Sequence, residues 1–93
     1  MVVRLTHFKV SAEHIDEVKK IYNGEVVAEL KKQKGNTNVM LLEPIDGSGE
    51  FISVTAWENK VDADTYESSG KYKELVGKIS GLIGQPVLKS YTA

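Results

Sequence analysis

Residues 37–57 read TNVMLLEPIDGSGEFISVTAW, and this stretch contains the clearest fold signal of the chain. Two runs rich in Val, Leu, Ile, Phe and Thr, at 37–42 and 51–57, predict β-strands. The residues between them, Pro44 followed by Asp-Gly and Ser-Gly pairs, are typical of turns. The stretch therefore predicts a β-hairpin that joins the second and third strands of the protein.

The segment before the hairpin predicts a strand followed by a helix. Residues 2–10 are rich in Val, Leu, Thr and Phe and contain neither Gly nor Pro, as expected of a strand. Apolar residues then recur three or four positions apart over 15–30, which is typical of an amphipathic helix. Gly24 interrupts this pattern at a cost of about 1 kcal/mol relative to Ala and indicates a bend. Gly35 follows as the C-cap.

The segment after the hairpin predicts two helices and a last strand. Asn59 is suited to cap a short helix over about 60–68. A further helix is predicted to run to about residue 83, where Gly84 ends it, and 87–91 predict a strand. The resulting order, β-α-β-β-α-β, predicts a single α+β domain over 1–93. Its expected fold is ferredoxin-like, with an antiparallel four-stranded sheet and helices on one face.

The predicted strands are apolar on both faces. In the third strand, Ile52 and Val54 alternate with Phe51 and Trp57. A sheet with one solvated face normally alternates apolar and polar residues, and the helices can cover only one face. We therefore expect the second face to pack against a second copy of the chain, as a homodimer formed through the sheet faces.

Composition excludes several classes of function. The 93 residues include 12 basic and 13 acidic ones, for a net charge of −1, which argues against a nucleic-acid partner. The chain has no cysteine, so disulfides, thiolate metal sites and thiol nucleophiles are excluded. We find neither a signal-peptide core nor an apolar run of membrane-spanning length. We expect a cytoplasmic protein without a membrane partner.

The run FISVTAWEN at 51–59 resembles the third-strand signature of antibiotic biosynthesis monooxygenase (ABM)-type domains. In that signature a hydrophobic strand ends in Trp-Glu before a polar helix cap. Residues 63–68 and 72–75 resemble the two short helices that follow it, and 33–35 resemble the exit of the first helix. The resemblance implies a dimeric α+β barrel with a ligand pocket in each subunit, between sheet and helices. It also implies a choice among oxygenation of phenolic polyketides, quinol oxidation, heme degradation and isomerisation.

Carried over position by position, the resemblance to the polyketide-oxidising members is partial. Those members have an Asn, a Tyr and an Arg where this chain has Ser53, Ala63, and Val76 or Gly77. Only Trp57 matches. Quinol-oxidising members carry histidines in the helices after the Trp, and this chain has none there.

The resemblance to the heme-degrading members is also incomplete. Their strand-one Asn, helical Trp and axial His correspond to Thr6, Tyr66 and Val76. Valine cannot ligate iron, so heme degradation is disfavoured. The two histidines, His7 and His14, do not have the spacing of metal ligands, and the acidic residues do not cluster. We therefore predict no metal and no cofactor.

Three residues are candidates for catalysis in the implied pocket. His7 lies in the first strand and is the side chain best suited to proton transfer near neutral pH. It is expected to face either the pocket or the dimer interface. Tyr66 and Tyr72 lie on the two short helices that would roof the pocket, and each could donate a hydrogen bond to a substrate oxyanion.

Four further residues are candidates for substrate binding. Trp57 ends the third strand and could form a stacking wall for an aromatic substrate. Ser53 and Thr55 share its face of the strand, and their small hydroxyl side chains leave space there. Tyr22 could line the pocket from the first helix. Each residue has a plain structural interpretation as well, because aromatic side chains commonly fill cores and Thr favours strands.

Our leading hypothesis is a cofactor-independent monooxygenase acting on an electron-rich aromatic molecule, a hydroquinone or another phenol. The main alternative is a non-catalytic dimeric domain of the same fold that binds a small molecule or is associated with stress. A sugar-type isomerase would need more charged pocket residues, and a purely structural dimer would have a filled core. Convergence of His7 and the tyrosines on one cavity would favour the enzyme, and their separation would favour the binding domain.

Overall fold

The computed structural model describes residues 1–93 and contains one antiparallel sheet. Its strands are β1 (Val2–Lys9), β2 (Asn36–Leu42), β3 (Glu50–Trp57) and β4 (Val87–Thr92). They are ordered β2-β3-β1-β4, with β1 paired to both β3 and β4. The hairpin of β2 and β3, the β-α-β-β-α-β order and the ferredoxin-like α+β fold are as predicted.

The first helical region contains a π-helical turn in its middle. It consists of α1 (Ile15–Ile21), the π turn (Tyr22–Val26) and α2 (Val27–Lys31). The side chains that it buries are spaced by four: Val18, Tyr22, Val26 and Leu30. In a regular α-helix each step of four rotates the side chain by about 40° around the axis. The wider π turn reduces this rotation and keeps the four buried side chains directed at the sheet. The turn includes Gly24, where the sequence predicts an interruption of the helix.

Two short helices, α3 (Lys60–Ser68) and α4 (Lys71–Gly77), follow β3. The predicted cap of α3 is confirmed, because the Asn59 side chain accepts a hydrogen bond from the Asp62 amide at 2.9 Å. The prediction of a helix reaching residue 83 is wrong beyond Gly77. Residues 78–82 form turns instead, in a segment whose glycines have low helix propensity. Ile79 is nevertheless buried from this irregular segment.

The helices cover one face of the sheet. Even-numbered residues of β1 and odd-numbered residues of β3 point toward them, and Phe51 and Trp57 are completely buried there. Two apolar clusters form on this covered face, one containing Trp57 and Leu30 and the other containing Phe51 and Phe8.

The opposite face of the sheet, called the open face below, is not covered by any part of the chain. Its apolar residues, taken from the strand register, are Val3, Leu5, Met40, Leu42, Ile52, Val54, Val87 and Tyr91. Between 41% and 51% of Met40, Leu42, Val87 and Tyr91 is exposed. The apolar residues at alternate positions of the strands therefore lie on two different faces of the sheet, one covered by the helices and one uncovered. No helix combines the length and apolar character that crossing a membrane requires.

Candidate functional site

A chamber of about 50 Å³ lies between the covered face of the sheet and the helices. Strands β1, β3 and β4, the first helical region, α3, α4 and the turns after α4 all contribute to its lining. The polar part of the lining is Arg4, Thr6, Tyr22, Ser53, Thr55, Tyr66 and Tyr72. The apolar part is Phe8, Val26, Leu30, Leu75, Val76, Ile79, Ile83, Pro86 and Leu88.

Tyr22 and Ser53 form a hydrogen-bonded pair in the chamber wall. Tyr22 begins the π turn, and its hydroxyl oxygen lies 2.6 Å from the Ser53 hydroxyl oxygen. The Tyr22 hydroxyl also donates to the carbonyl of Met40 at 3.3 Å. Burial raises the pKa of Tyr22 more strongly than the Ser53 contact lowers it. The pair thus fixes the first helical region against the hairpin and presents a protonated phenol.

Trp57 lies behind the chamber. Its indole N–H donates to the Thr55 hydroxyl at 3.0 Å, and its ring stacks on that of Tyr66 with centroids 4.9 Å apart. Tyr66 in turn meets Tyr72 edge to face, with centroids 6.3 Å apart. Trp57 is therefore covered by Tyr66, and of these two stacked rings only that of Tyr66 lines the chamber. The role of Trp57 here is to support Tyr66.

The chamber tyrosines are hydrogen-bond donors. Burial raises the pKa of both Tyr66 and Tyr72 above the ordinary value of 10. For Tyr66 the neighbouring tyrosines add to the effect, whereas the Thr6 hydroxyl partly opposes it at Tyr72. Both phenols consequently stay protonated at neutral pH and cannot act there as anionic bases.

Arg4 is a buried cation in the chamber wall, and the sequence analysis missed it. Only 7% of the residue is exposed. Its Nη1 donates to the Ala63 carbonyl at 2.9 Å and lies 2.8 Å from a Glu67 carboxylate oxygen. Its Nη2 lies 2.7 Å from Asp64. Its sign in the sequence is a lone charged residue between the apolar Val3 and Leu5, which does not show by itself which face the side chain occupies.

The guanidinium of Arg4 joins β1 to α3, because all three of its partners belong to that helix. Its Nε is the one buried side-chain nitrogen or oxygen in the chain without a hydrogen-bond partner. A buried donor left without an acceptor costs about 1–3 kcal/mol. Arg4, one of the residues that line the chamber, therefore carries one unpaired donor.

His7 is not part of the chamber. The strand register places it opposite Ile52 and Val87, on the open face. It lines a shallow groove of about 370 Å³ beside the hairpin turn, together with Leu42 and acidic residues that include Glu50. Within one chain, the structure brings Tyr22, Ser53, Thr55, Tyr66 and Tyr72 together and leaves His7 on the other side of the sheet.

The lining of the chamber determines what it can do chemically. No Asp, Glu, His, Lys or Cys contributes to it, so it offers several hydrogen-bond donors but no carboxylate or imidazole base. Apolar walls with a few donors suit an apolar molecule that carries an oxygen acceptor. No group of three or more His, Cys, Asp or Glu is placed to hold a metal ion. The chamber lacks histidine, cysteine and methionine, and its tyrosines, the remaining residue type present that can ligate heme iron, are kept protonated by burial, so its residues do not fit heme.

Comparison with known proteins identifies the family. Residues 1–78 match the sequence model of the family described as antibiotic biosynthesis monooxygenase (ABM). The chain belongs to the ABM family. The third-strand resemblance in the sequence is thereby confirmed. No curated protein matches the chain at a significant level.

Solved structures similar to this ABM protein share its fold at low sequence identity. One is a Deinococcus radiodurans protein assigned to the antibiotic biosynthesis monooxygenases, with 17% identity, a TM-score of 0.85 and coverage of 100% of this chain and 92% of that chain. A variant of SnoaB, a cofactor-independent oxygenase from Streptomyces nogalater, has 15% identity, a TM-score of 0.83 and coverage of 99% and 91%. A variant of MhuD with two manganese protoporphyrin IX molecules bound per active site has 17% identity, a TM-score of 0.80 and coverage of 100% and 94%.

These neighbours show the fold and not the chemistry, because one is an oxygenase and another binds porphyrins. The positions that the family resemblance makes functional can now be located in this ABM protein. Ser53 and Val76 line the chamber, whereas Ala63 is buried and supplies a carbonyl to Arg4. The arginine of this chamber comes from β1.

Proposed function

We propose that this ABM protein is a cofactor-independent monooxygenase acting on a small electron-rich aromatic molecule, a hydroquinone or another phenol. The observation that carries the proposal is the combination of apolar walls with the donors Tyr66, Tyr72 and Arg4 in one chamber. Membership of the ABM family and the fold shared with SnoaB support an oxygenase. The aromatic substrate class is inferred from the lining.

In the proposed reaction the substrate supplies the electrons. A hydroquinone and one O₂ give a hydroxyquinone and one water. One oxygen atom enters the ring and the other leaves as water with two hydrogens from the substrate, so the organic molecule provides all four electrons. The protein would position the ring, stabilise the oxyanion that forms when the phenol loses its proton, and exclude water. Tyr66 and Tyr72 are proposed as the oxyanion donors.

Substrate entry requires the roof of the chamber to move. Ligand pockets usually enclose about 300–1,000 Å³, well above the 50 Å³ of this chamber. The roof consists of two short helices joined at Ser69 and Gly70, and Gly70 has a φ of +86°, a conformation that glycine adopts without strain. We propose that α3 and α4 separate at this joint when the substrate enters.

The oligomeric state belongs to the same proposal. The open face exposes large apolar side chains from its two edge strands, β2 and β4, and has Lys89 and His7 as the ionisable residues near its centre. Exposed apolar surfaces of this kind mark association sites. We propose a homodimer formed through the open faces, with His7 at the interface. The use of His7 as a catalytic base stays a prediction.

Sedimentation velocity tests the dimer. The wild type is expected to sediment as a dimer, and Val54→Asp at the centre of the open face is expected to give a folded monomer, because burying an unpaired carboxylate is unfavourable. Val61→Asp on α3 is the matched control, since Val61 is exposed and the same substitution adds the same charge away from the open face. A monomeric wild type at high concentration would refute the dimer.

Oxygen consumption tests the enzyme. The metal-free protein would be offered a panel of hydroquinones and phenols, and turnover above autoxidation is expected with at least one of them. Tyr66→Phe and Tyr72→Phe are each expected to lower kcat by about 10²–10³-fold, the usual effect of removing an oxyanion donor. Tyr91→Phe removes a hydroxyl outside the chamber and should leave turnover unchanged. His7→Ala tests the predicted base in the same assay.

A second candidate is the non-catalytic binding domain, which the absence of a carboxylate or imidazole from the chamber lining favours. Trp57 is the single tryptophan of the chain and stacks on Tyr66, so its fluorescence reports on occupancy of the chamber. A phenol that changes Trp57 fluorescence without oxygen uptake would support this candidate over the enzyme.

A further inference from the structure

We propose that Arg4 is an oxyanion-binding residue and that the chamber takes its aromatic ligand as the phenolate. The inference rests on the proposed function, because it assumes that the chamber binds a phenol. It adds the ionisation state of the ligand and the residue that selects it. It also gives the chamber a way to work without its own base, since the proton leaves the phenol for solvent and only the anion binds.

The first argument is the state of the guanidinium. Arg4 lines the chamber, is more than nine-tenths buried and carries a guanidinium cation. Its two terminal nitrogens are held by Ala63, Asp64 and Glu67 at 2.7–2.9 Å. Those contacts fix the plane of the group and leave Nε–H as the donor without an acceptor. A fixed, unsatisfied donor on a residue that lines a ligand chamber is preorganised for an anionic oxygen.

The second argument is the balance of donors and acceptors. Tyr66 and Tyr72 stay protonated and can donate to a bound oxygen, and no carboxylate or imidazole lines the chamber to accept the proton of a neutral phenol. The charge of Arg4 lowers the pKa of both tyrosines, although burial outweighs it and their pKa values are raised overall. The same positive charge would act on a ligand oxygen, which could in addition receive direct hydrogen bonds from Nε–H and from the phenols.

The two carboxylates beside Arg4 do not cancel this effect inside the chamber. Asp64 and Glu67 have side chains that are each 45% exposed, whereas the Arg4 side chain is 8% exposed. Solvent screens the carboxylates more strongly than the guanidinium. Lys60 contacts Asp64 at 2.6 Å from the outer side and offsets one of the two negative charges.

The test uses 4-nitrophenol, whose phenolate absorbs visible light and whose neutral form does not. The spectrum of the bound probe, followed against pH at saturating protein, reports its ionisation in the chamber. We expect the pKa of the probe to fall on binding. In Arg4→Lys, which keeps the cation for Asp64 and Glu67 but removes Nε–H, the preference for phenolate over phenol should fall by about tenfold or more, the usual effect of a hydrogen bond to a charged group.

A double variant separates anion binding from a structural role. Asp64→Asn with Glu67→Gln weakens the link between β1 and α3 but retains Nε–H and the charge of Arg4. We expect its preference for phenolate to be unchanged or greater. A tenfold loss in this variant would overturn the inference, because Arg4 would then act only by holding α3.

The possible results distinguish the inference from the proposed function. Binding of 4-nitrophenol in its neutral form would overturn the inference and leave a phenol-binding chamber. Failure of the wild type to bind phenols at all would refute the proposed function too. The spectrum of the probe on the wild type decides between phenol and phenolate even if Arg4→Lys fails to fold.

Discussion

The two faces of the sheet differ in a way opposite to that of an ordinary solvated sheet. The covered face, which should be apolar, contains Arg4 and the hydroxyl groups of Thr6, Ser53 and Thr55. The open face, which should be polar, carries exposed Leu42, Val87 and Tyr91. Polar groups under the helices and apolar groups in the open are both costly for an isolated chain. The comparison therefore supports the proposals that the covered face binds a small ligand and that the open face pairs with a second subunit.

The covered face should be the more sensitive to truncation. Trp57→Ala removes a completely buried ring that supports Tyr66, and we expect it to lower the free energy of unfolding by about 3–5 kcal/mol. Urea denaturation followed by circular dichroism measures the loss, because the variant lacks tryptophan fluorescence. The loss should not depend on protein concentration beyond the dependence of the wild type. A loss below about 1 kcal/mol would show that the core around Trp57 is loosely packed.

The open face should respond in a different manner. Leu42→Ala truncates a side chain that is partly exposed in one chain, and in a monomer such a change costs about 0.5 kcal/mol or less. If the face is covered by a second copy, we expect a cost of about 1–2 kcal/mol. The midpoint of unfolding should then rise with protein concentration, measured over an approximately 100-fold range. A midpoint independent of concentration would contradict pairing through this face.

The fold was predictable because its signals are local. The hairpin followed from the turn residues between β2 and β3, and the Asn59 cap followed from the preference of Asn for that position. The prediction of a helix beyond Gly77 was wrong because it rested on the spacing of the apolar residues, although the glycines of the segment disfavour a helix. Ile79 reaches the core from a turn, which a helical pattern cannot distinguish from a helix.

The candidate site was only partly predictable. Tyr66 and Tyr72 could be predicted to line the pocket because long aromatic side chains on the two helices above a pocket can reach it in more than one helix orientation. The face of His7 could not be assigned, since both parities of β1 are apolar and alternation carries no information there. Arg4 was missed because a single charged residue in a strand usually points to solvent. Its burial depends on Asp64 and Glu67, about sixty residues away in sequence, which only the tertiary structure brings near.

High pH should destabilise the fold through the buried tyrosines that line the chamber. The pKa values of Tyr22, Tyr66 and Tyr72 are raised by burial, so the folded chain keeps protons that the unfolded chain releases. Their contribution to stability is complete below about pH 10 and is lost as the pH rises from there toward the folded pKa values. We expect the free energy of unfolding to fall over this range, and less steeply in Tyr66→Phe. If the free energy of unfolding falls equally steeply with pH in Tyr66→Phe and the wild type, this would argue against burial of the Tyr66 hydroxyl.

Low pH should weaken the ion pairs of Asp64 at the rim of the covered face. We expect this effect to be the smallest of the four. The Lys60 ammonium, and then the Arg4 guanidinium, hold the pKa of Asp64 below 3.8. Because the pKa of Asp64 is lower in the folded chain than in the unfolded chain, its ionised form stabilises the fold at pH values above the unfolded pKa. This stability is lost as the pH falls through the folded pKa. The wild type should therefore lose more stability than Asp64→Asn between neutral pH and about pH 3.

The acid effect is small because Asp64 is nearly half exposed and its ion pairs are screened by solvent. Glu58→Gln is the control, since Glu58 is exposed and makes no ion pair, and it should follow the wild type. Urea denaturation at the two pH values measures all three proteins. If Asp64→Asn loses as much stability as the wild type, the ion pairs of Asp64 contribute nothing electrostatic to folding. The contacts of Arg4 with Glu67 and the Ala63 carbonyl, together with its unpaired Nε–H, would then be the remaining reasons for an arginine on the covered face.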